Sequence, residues 1–298
     1  MGTVGRFVAV IFASGLSFPE GPAALADGSW LCVEGGERNC VTHISPDAKS
    51  RRMVAKTGRP VGLAVDNDGY IWLAESSTPS LLRLTLEGEV DVVATSCEGE
   101  AFLFPNDLCL GPDGAVYLTD SGIAVNEFVQ GGRIRPDYLQ VKYDGRVYRV
   151  DKKSGKVCKL DSGIQFTNGI AFGPDRALYA NETLTGMVYR YEWKVGQGFG
   201  VRQDFGNVID PDAPPGWRGP DGMAFGADGN LYVAVYAQQD VTVLGRDGSV
   251  IKRIRTQGSL PTNCAFGLAG QKKLYVTEYE FGQFEVFDVG TDGLPLFT

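Results

Sequence analysis

The sequence is almost free of histidine, since His43 is the single histidine among 298 residues. A zinc site built from several histidines is therefore excluded, and a Ser-His-Asp or Cys-His nucleophilic centre is disfavoured. His43 stands in an alternating stretch that predicts a strand, so we expect an ordinary strand residue there. If the chain is an enzyme, carboxylates and other oxygen-bearing groups must carry its chemistry.

Basic residues, long apolar runs and paired cysteines are also scarce. Lys and Arg number 28 against 36 Asp and Glu, and the net charge of −8 argues against nucleic acid or an anionic membrane as the partner. No apolar run approaches the roughly 18 residues of a membrane helix. The six cysteines form no C-x-x-C pair and are too sparse for a disulfide scaffold. We expect a cytoplasmic protein with free thiols, a monomer or small homo-oligomer, that acts on a small molecule.

Glycine, in contrast, is abundant at 40 residues, and the chain contains six similar segments. Each segment joins a short apolar strand to an aromatic-rich strand through Asp-Gly or an equivalent turn. The segments begin Phe18-Pro-Glu-Gly, Arg59-Pro-Val-Gly, Phe104-Pro-Asn-Asp, Phe166-Thr-Asn-Gly, Gly219-Pro-Asp-Gly and Leu260-Pro-Thr-Asn. A period of about 40–50 residues made of short strands is typical of β-propellers.

This repeat predicts the fold class. Each unit reads as four antiparallel strands, and no helical pattern of comparable length competes with them. We therefore predict an all-β, six-bladed propeller that forms a single domain over residues 1–298. The segment from Phe7 to Ala13 repeats the rhythm of the fourth strands, so we expect it to be the outer strand of the last blade and to close the ring without an open sheet edge.

At one position of the repeat, five of the six segments carry a polar residue, and apolar strand residues follow it. These anchors are Glu20, Asn106, Asn168, Asp221 and Asn263, with Val61 as the sixth. The inner strands of a propeller begin at one end of the channel, so the anchors should converge. Two converging carboxylates repel each other unless a cation lies between them, and an all-oxygen set suits Ca²⁺, Mg²⁺ or Mn²⁺. The alternative is that these residues cap turns, but their recurrence at one repeat position favours a metal site.

The same motifs resemble those of the regucalcin/gluconolactonase family, which includes senescence marker protein-30. The resemblance covers essentially the whole chain. Members of that family are six-bladed propellers that hold one divalent metal ion and hydrolyse lactones. The resemblance implies that Glu20, Asn168 and Asp221 hold the metal here, while Asn106 contacts the substrate or completes the metal shell. Ca²⁺ is the expected ion, and Mn²⁺, Zn²⁺, Mg²⁺ or Fe²⁺ are alternatives.

The chain departs from that family at Phe104. Sugar-lactone members usually carry arginine two residues before the Asn106 position, where it binds substrate oxygens. An aromatic ring in place of a planar cation predicts a substrate less polar than a typical sugar lactone. Basic residues in a long insertion of the third blade, namely Arg133, Arg135 or Lys142, could compensate for the missing cation.

Two long connections are expected to lie near the channel mouth. One is the insertion between Asp120 and Val147, and the other runs over residues 210–218 into Asp221. Loops of this length often cover sites, and Trp217 with Phe104 could form an aromatic wall above the metal. The alternative is that each loop packs on the outer rim.

Two further residue types recur at fixed positions of the repeat. The acids are Glu34, Glu75, Asp120, Glu182 and Glu278, and the aromatic residues are Trp30, Trp72, Tyr117, Tyr179, Tyr232 and Tyr275. We expect the aromatic residues to pack between blades. The acids are expected to bond backbone amides in loops, except Asp120, which we assign to substrate binding because it borders the insertion.

These features favour an enzyme that opens a cyclic ester. Asp221 is the expected catalytic carboxylate, as the proton acceptor for water or as the nucleophile itself, and Asn106 would orient the substrate. A phosphotriester or other ester hydrolase on the same metal is one alternative. A calcium-binding propeller without catalytic activity is the other.

Overall fold

The computed structural model describes residues 9–194, 198–213 and 215–297, in which six four-stranded antiparallel sheets surround a central channel. The inner strand of each sheet contacts the inner strand of the next one, and the sixth contacts the first. This closed ring of six blades confirms the predicted all-β propeller. None of the helices in the described ranges is long and apolar enough to cross a membrane.

The first three blades follow one another along the chain, with the inner strand first. Blade 1 contains Pro19–Ala24, Trp30–Glu34, Cys40–Ile44 and Arg51–Lys56. Blade 2 contains Pro60–Val65, Ile71–Glu75, Ser80–Leu84 and Val90–Ala94. Blade 3 contains Pro105–Leu110, Val116–Asp120, Gly145–Val150 and Val157–Ile164. A small hairpin, Ser96–Cys97 with Glu100–Ala101, links blades 2 and 3.

The remaining three blades repeat this order. Blade 4 contains Thr167–Phe172, Leu178–Glu182, Met187–Tyr191 and Gln203–Asn207. Blade 5 contains Gly219–Phe225, Leu231–Tyr236, Asp240–Leu244 and Val250–Arg255. Blade 6 contains Pro261–Phe266, Lys273–Glu278, Gln283–Asp288 and Val10–Ser14. A two-stranded ribbon, Trp193–Lys194 with Gly198–Phe199, extends from blade 4.

The N-terminal strand closes the sixth blade. Val10–Ser14 pairs antiparallel with Gln283–Asp288 at the outer edge of that sheet. The predicted role of the Phe7–Ala13 segment is therefore confirmed for its described part, while Phe7 and Val8 lie outside the described residues. The edge that blade 6 would otherwise expose is covered by this strand.

The recurrent aromatic residues pack between neighbouring blades, as predicted. The Tyr117 ring of blade 3 lies 4.9 Å from the Phe172 ring of blade 4, and Tyr179 lies 4.9 Å from Phe225 of blade 5. Trp30 of the first blade contacts Tyr275 of the last at 4.2 Å. Each ring removes apolar area from water at a blade–blade contact, which holds the inner strands in place around the channel.

The insertion of blade 3 is confirmed between its second and third strands. It contains a short helix, Val125–Phe128, a small hairpin formed by Val129–Gln130 and Arg133–Ile134, and a 3₁₀ turn at Tyr138–Gln140. The helix and the hairpin border the channel mouth, where Phe128 is buried.

Candidate metal centre

The four residues predicted to hold a metal meet at one cavity. Each is the second or third residue of an inner strand: Glu20, Asn106, Asn168 and Asp221. All four line a cavity of about 1060 Å³ at one end of the channel. Val61 of blade 2 lines it as well. The cavity therefore collects anchor residues from blades 1 to 5.

Blade 6 contributes Thr262 to this ring, and the prediction that Asn263 is its anchor is wrong. Strand pairing aligns Pro261 with Glu278 in the same way that it aligns Pro19 with Glu34 and Pro105 with Asp120. Thr262 thus corresponds to Glu20 and Asn106, and it lines the cavity. Asn263 occupies the next position, one residue deeper in the channel.

This deeper position forms a second layer that the sequence analysis missed. Its six residues are Gly21, Gly62, Asp107, Gly169, Gly222 and Asn263. Four glycines leave room for the two side chains. A Cβ atom on Gly62 would collide with Asp107, and one on Gly222 would collide with the Asn263 amide. The absence of glycine after Asn106, where four other segments have it, is the sequence feature that could have identified Asp107.

Asn263 connects the second layer to the first. Its Nδ2 donates to Oε1 of Glu20 at 2.7 Å, and its Oδ1 accepts from the Cys264 backbone at 2.7 Å. A hydrogen bond from Asn263 also lowers the pKa of Asp107, although burial outweighs it. The amide therefore holds two carboxyl groups of the channel in place.

Three buried carboxyl groups interact at this site, those of Glu20, Asp107 and Asp221, and burial disfavours the ionised form of each. Burial, reinforced by the charge of Asp107, raises the pKa of Glu20 to about 8. Burial raises the pKa of Asp107 to about 7. The pKa of Asp221 is raised by burial and then by the charges of Glu20 and Asp107. Such groups hold protons at neutral pH unless a cation neutralises them.

The amide of Asn168 has an acceptor without a partner. Its Oδ1 is buried and accepts no hydrogen bond, while its Nδ2 lies 3.5 Å from Oγ1 of Thr183. A buried carbonyl oxygen without a donor is costly, and it fits an atom positioned to coordinate a ligand. The amide of Asn106 is fixed by a 2.9 Å bond from its Nδ2 to Oγ of Ser121.

A divalent cation fits this donor set. Two carboxylates would balance its charge, and two amide oxygens would add neutral ligands of the kind that hard cations bind. No group of three or more His, Cys, Asp and Glu side chains is arranged to hold a metal in the described ranges. A cation would therefore need the oxygens of Asn106 and Asn168 in addition to Glu20 and Asp221.

Asp120 does not fit its predicted role in substrate binding. It is fully buried and does not line the cavity. Its carboxylate accepts hydrogen bonds from the backbone of Leu103, Phe104 and Gly122 at 2.7–3.0 Å. This is the amide-bonding role predicted for the other recurrent acids, and Glu75 accepts in the same way from the backbone of Arg59. Asp120 fixes the backbone that carries Phe104.

Phe104 and Trp217 belong to one aromatic cluster beside the cavity, but other rings connect them. Phe104 lies 5.8 Å from Phe166, and Trp217 lies 5.1 Å from Phe166 and 4.9 Å from Phe128. All four rings line the cavity. Both long connections therefore reach the channel mouth. Phe128 and Phe166 also belong to this wall, although the sequence pattern did not identify them.

An arginine near Phe104 was also missed. The guanidinium carbon of Arg59 lies 5.4 Å from the centre of the Phe104 ring, and Arg59 lines the cavity. Of the three basic residues named in the insertion, Arg133 lines the cavity, whereas Arg135 bonds Asp137 at 2.7 Å and Lys142 is exposed away from it. The wall that lacks arginine at position 104 thus has one from the neighbouring blade.

Comparisons with known proteins agree with this architecture. The profile of the SMP-30/gluconolactonase/LRE-like region matches residues 18–280. A gluconolactonase from Zymomonas mobilis is 26% identical over 280 residues, which cover 88% of this chain and 76% of that protein. The diisopropyl-fluorophosphatase of Loligo vulgaris is 29% identical over 234 residues, 75% of this chain and 69% of that protein. The solved structure of regucalcin from Agrobacterium tumefaciens, a calcium-binding protein, has the same fold, with a TM-score of 0.76 at 19% identity over 100% of this chain and 98% of that one.

Proposed function

This chain belongs to the SMP-30/gluconolactonase/LRE-like family, and from that premise we propose that it is a lactonase that uses one divalent cation. The observation that carries the proposal is the meeting of Glu20, Asn106, Asn168 and Asp221 at one cavity, with an unpartnered amide oxygen on Asn168. The gluconolactonase of Zymomonas mobilis, similar over most of its length, supports lactone opening as the reaction.

Each of the four residues has a role in this proposal. Glu20, Asn168, Asp221 and Asn106 would hold the cation. Their oxygen donors suit a hard cation, and Ca²⁺ is favoured among these because the regucalcin from Agrobacterium tumefaciens, which has the same fold, is a calcium-binding protein. A bound divalent cation supplies Lewis-acid polarisation of the lactone carbonyl. Asn106, held by Ser121, would orient the ring so that its carbonyl carbon faces the attacking water.

Asp221 would handle the proton. Water adds to the carbonyl carbon, Asp221 accepts the proton of that water, and the proton passes to the ring oxygen when the carbon–oxygen bond breaks. The product is an open-chain hydroxy acid. In the alternative, the carboxylate of Asp221 would attack the carbonyl carbon itself, the ring carbon–oxygen bond would break with protonation of the ring oxygen, and water would then attack the Asp221 carboxyl carbon of the acyl intermediate. A single turnover in oxygen-18 water separates the two, because only the second route places the label in Asp221.

The substrate class follows from the walls of the cavity. Phe104, Phe128, Phe166 and Trp217 form an apolar side, so the lactone would present an apolar part of its skeleton there. This keeps the prediction of a substrate less polar than a typical sugar lactone. A sugar lactone with hydroxyl groups on every carbon would leave several of them against aromatic rings without partners.

A phosphotriester is the second candidate substrate. The relative from Loligo vulgaris carries the name of a phosphatase that acts on an organophosphorus fluoride, and its similarity covers 75% of this chain. The same cation and the same apolar wall would suit an uncharged phosphorus ester. Both candidates require Asp221 and the cation, so only substrate trials can distinguish them.

The test is a proton-release assay on metal-stripped protein with added Ca²⁺, Mn²⁺, Zn²⁺, Mg²⁺ or Fe²⁺. The panel contains aldonolactones, aliphatic and aryl-substituted lactones, and phosphotriesters. We expect lactone opening that requires a cation and is lost in Asp221→Asn, whereas Asp212→Asn, an exposed aspartate on the adjoining connection, retains it. Activity that survives metal removal would overturn the mechanism, and no turnover on any compound would favour a calcium-binding propeller without catalytic activity.

A further inference from the structure

We propose that Arg59 binds an anionic substituent of the substrate, so that the lactone is a carboxylated one with an otherwise apolar skeleton. This inference rests on the proposed function and adds the substrate class to it. It comes from a charged residue at the cavity wall for which neither the metal site nor the fold accounts.

Arg59 occupies an equivalent place to Phe104 in the neighbouring blade. Each stands directly before the proline that begins the inner strand, and strand pairing aligns Pro60 with Glu75 as it aligns Pro105 with Asp120. The six residues at this position are Phe18, Arg59, Phe104, Phe166, Gly219 and Leu260. Arg59 is the one charged member of that ring, and Phe18, Arg59, Phe104 and Phe166 all line the cavity.

The guanidinium of Arg59 is held in place without a direct ion pair, although the charge of Glu75 acts on it. It lies over the Phe104 ring, a contact that orients a planar cation. Arg59 takes part in no ion pair among the described residues. The nearby carboxylate of Glu75 is engaged by the backbone amides of Gly58, Arg59 and Ser77 at 2.6–3.0 Å. The hydrogen-bonding edge of the guanidinium is therefore available to a ligand.

The charge balance of the cavity favours an anion. Within the described part of the chain, its charged lining residues are Glu20, Asp221, Arg59 and Arg133. A divalent cation would neutralise the two carboxylates of the lining, so the two guanidinium groups would have no counter-charge within the lining. Outside it, Asp107 lies in the deeper layer beside Glu20 and Asp221, and the Glu75 carboxylate near Arg59 is bonded by backbone amides. A carboxylate on the substrate would restore the balance, and a guanidinium binds it through two parallel hydrogen bonds.

The apolar side and Arg59 together define the substrate. Phe104 contributes its ring to both, because that ring lies 5.8 Å from Phe166 of the aromatic cluster and 5.4 Å from the guanidinium carbon of Arg59. A lactone that carries one carboxylate would place its apolar ring carbons on the cluster and its carboxylate on Arg59. A neutral alkyl lactone would contact the aromatic cluster but would leave Arg59 without a partner. A neutral sugar lactone would offer hydroxyl groups to Arg59 but no apolar carbons to the cluster.

The experiment compares a matched pair of lactones in the parent protein, in Arg59→Gln and in Arg83→Gln. The pair is 5-oxotetrahydrofuran-2-carboxylate and its carboxamide. Arg83 is the control because its guanidinium also lies over an aromatic ring, that of Tyr70 at 4.7 Å, but on an outer part of blade 2 away from the cavity. Arg59→Lys tests whether a charge without the planar fork is sufficient.

We expect the parent to prefer the carboxylate, and Arg59→Gln to lose about 10- to 100-fold in kcat/KM for it, mainly through KM. The carboxamide should be hydrolysed equally by all variants, and Arg59→Lys should recover part of the loss. A parent without preference for the carboxylate, or an equal loss on both compounds in Arg59→Gln, would overturn the proposal.

Binding is measured separately from turnover. Pyroglutamate and its amide, which are five-membered lactams that resist hydrolysis, are titrated calorimetrically into the same variants. We expect pyroglutamate to bind the parent more tightly than the amide does, and Arg59→Gln to abolish the difference. If no lactone is opened but this difference is found, the proposed function fails and the role of Arg59 stands. If neither compound binds, or both bind equally, the role of Arg59 is refuted.

Discussion

Oε1 of Glu20 lies 2.7 Å from the Nδ2 atom of Asn263, although 243 residues separate them along the chain. The bond joins the inner strand of the first blade to that of the last one. The position of this carboxylate therefore depends on closure of the ring by the outer strand Val10–Ser14. The metal centre is a property of the closed propeller and not of any single blade.

Substitution of Asn168 tests whether its unpartnered Oδ1 atom binds the cation. Asn168→Ala should weaken Ca²⁺ binding because it removes a neutral ligand. Asn168→Asp should strengthen Ca²⁺ binding by adding a third negative charge, and it should destabilise the metal-free protein by increasing repulsion with Asp221. Calorimetric titration and thermal unfolding with and without Ca²⁺ measure both effects. Equal Ca²⁺ affinity in the parent and both variants would remove Asn168 from the ligand set.

The pH dependence of stability should show the cost of burying these carboxyl groups without a cation. The pKa of Glu20 is raised to about 8 and that of Asp107 to about 7, so the native protein keeps protons that the unfolded chain loses. The stabilisation is complete below about pH 4 and is lost as the pH rises through about 7 to 8. The metal-free protein should therefore become less stable between these limits.

Thermal melts of metal-free protein at constant ionic strength measure this dependence. Saturating Ca²⁺ should reverse the loss at high pH, since the ion binds the ionised native carboxylates. Glu20→Gln should show a shallower slope because one titrating group is gone. A metal-free protein whose stability does not fall over the same interval would contradict the raised pKa values of Glu20 and Asp107.

The close packing of the second layer predicts that a side chain at position 62 destabilises the protein. Its Cβ position lies 2.7 Å from Cα of Asp107 and 2.8 Å from the carbonyl oxygen of Asn106, and neither backbone atom can move independently of the ring. Gly62→Ala should lower the free energy of unfolding by about 1–3 kcal/mol or more. Gly35→Ala is the matched control because its Cβ would meet Phe18 Cβ at an ordinary 3.5 Å. Equal denaturant midpoints for the two variants would contradict the packing described here.

The fold could be predicted because the same pattern of strands and turns recurs in six segments. Strand, turn and aromatic positions recur, and each repetition supports the others. Asp107 and Arg59 were missed for the opposite reason. Each is a local exception to the repeat, and its meaning depends on contacts with the neighbouring blade that one segment does not contain.

Asn263 shows how register limits sequence reasoning. The segment Leu260-Pro-Thr-Asn263 has one more residue between its proline and its asparagine than Phe104-Pro-Asn106 has. Aligning the two asparagines shifts the strand by one position, and such a slip exchanges the faces on which side chains lie. Pairing of Pro261 with Glu278 corrects this and assigns the cavity position to Thr262.

The central claim is that Glu20, Asn106, Asn168 and Asp221 hold one cation, and titration of metal-stripped protein with Ca²⁺ tests it most directly. We expect one binding site per chain, an affinity about 100-fold lower in Glu20→Gln and in Asp221→Asn, and an unchanged affinity in Asp212→Asn. An absence of binding in the parent, or binding that persists undiminished in both carboxylate variants, would contradict it.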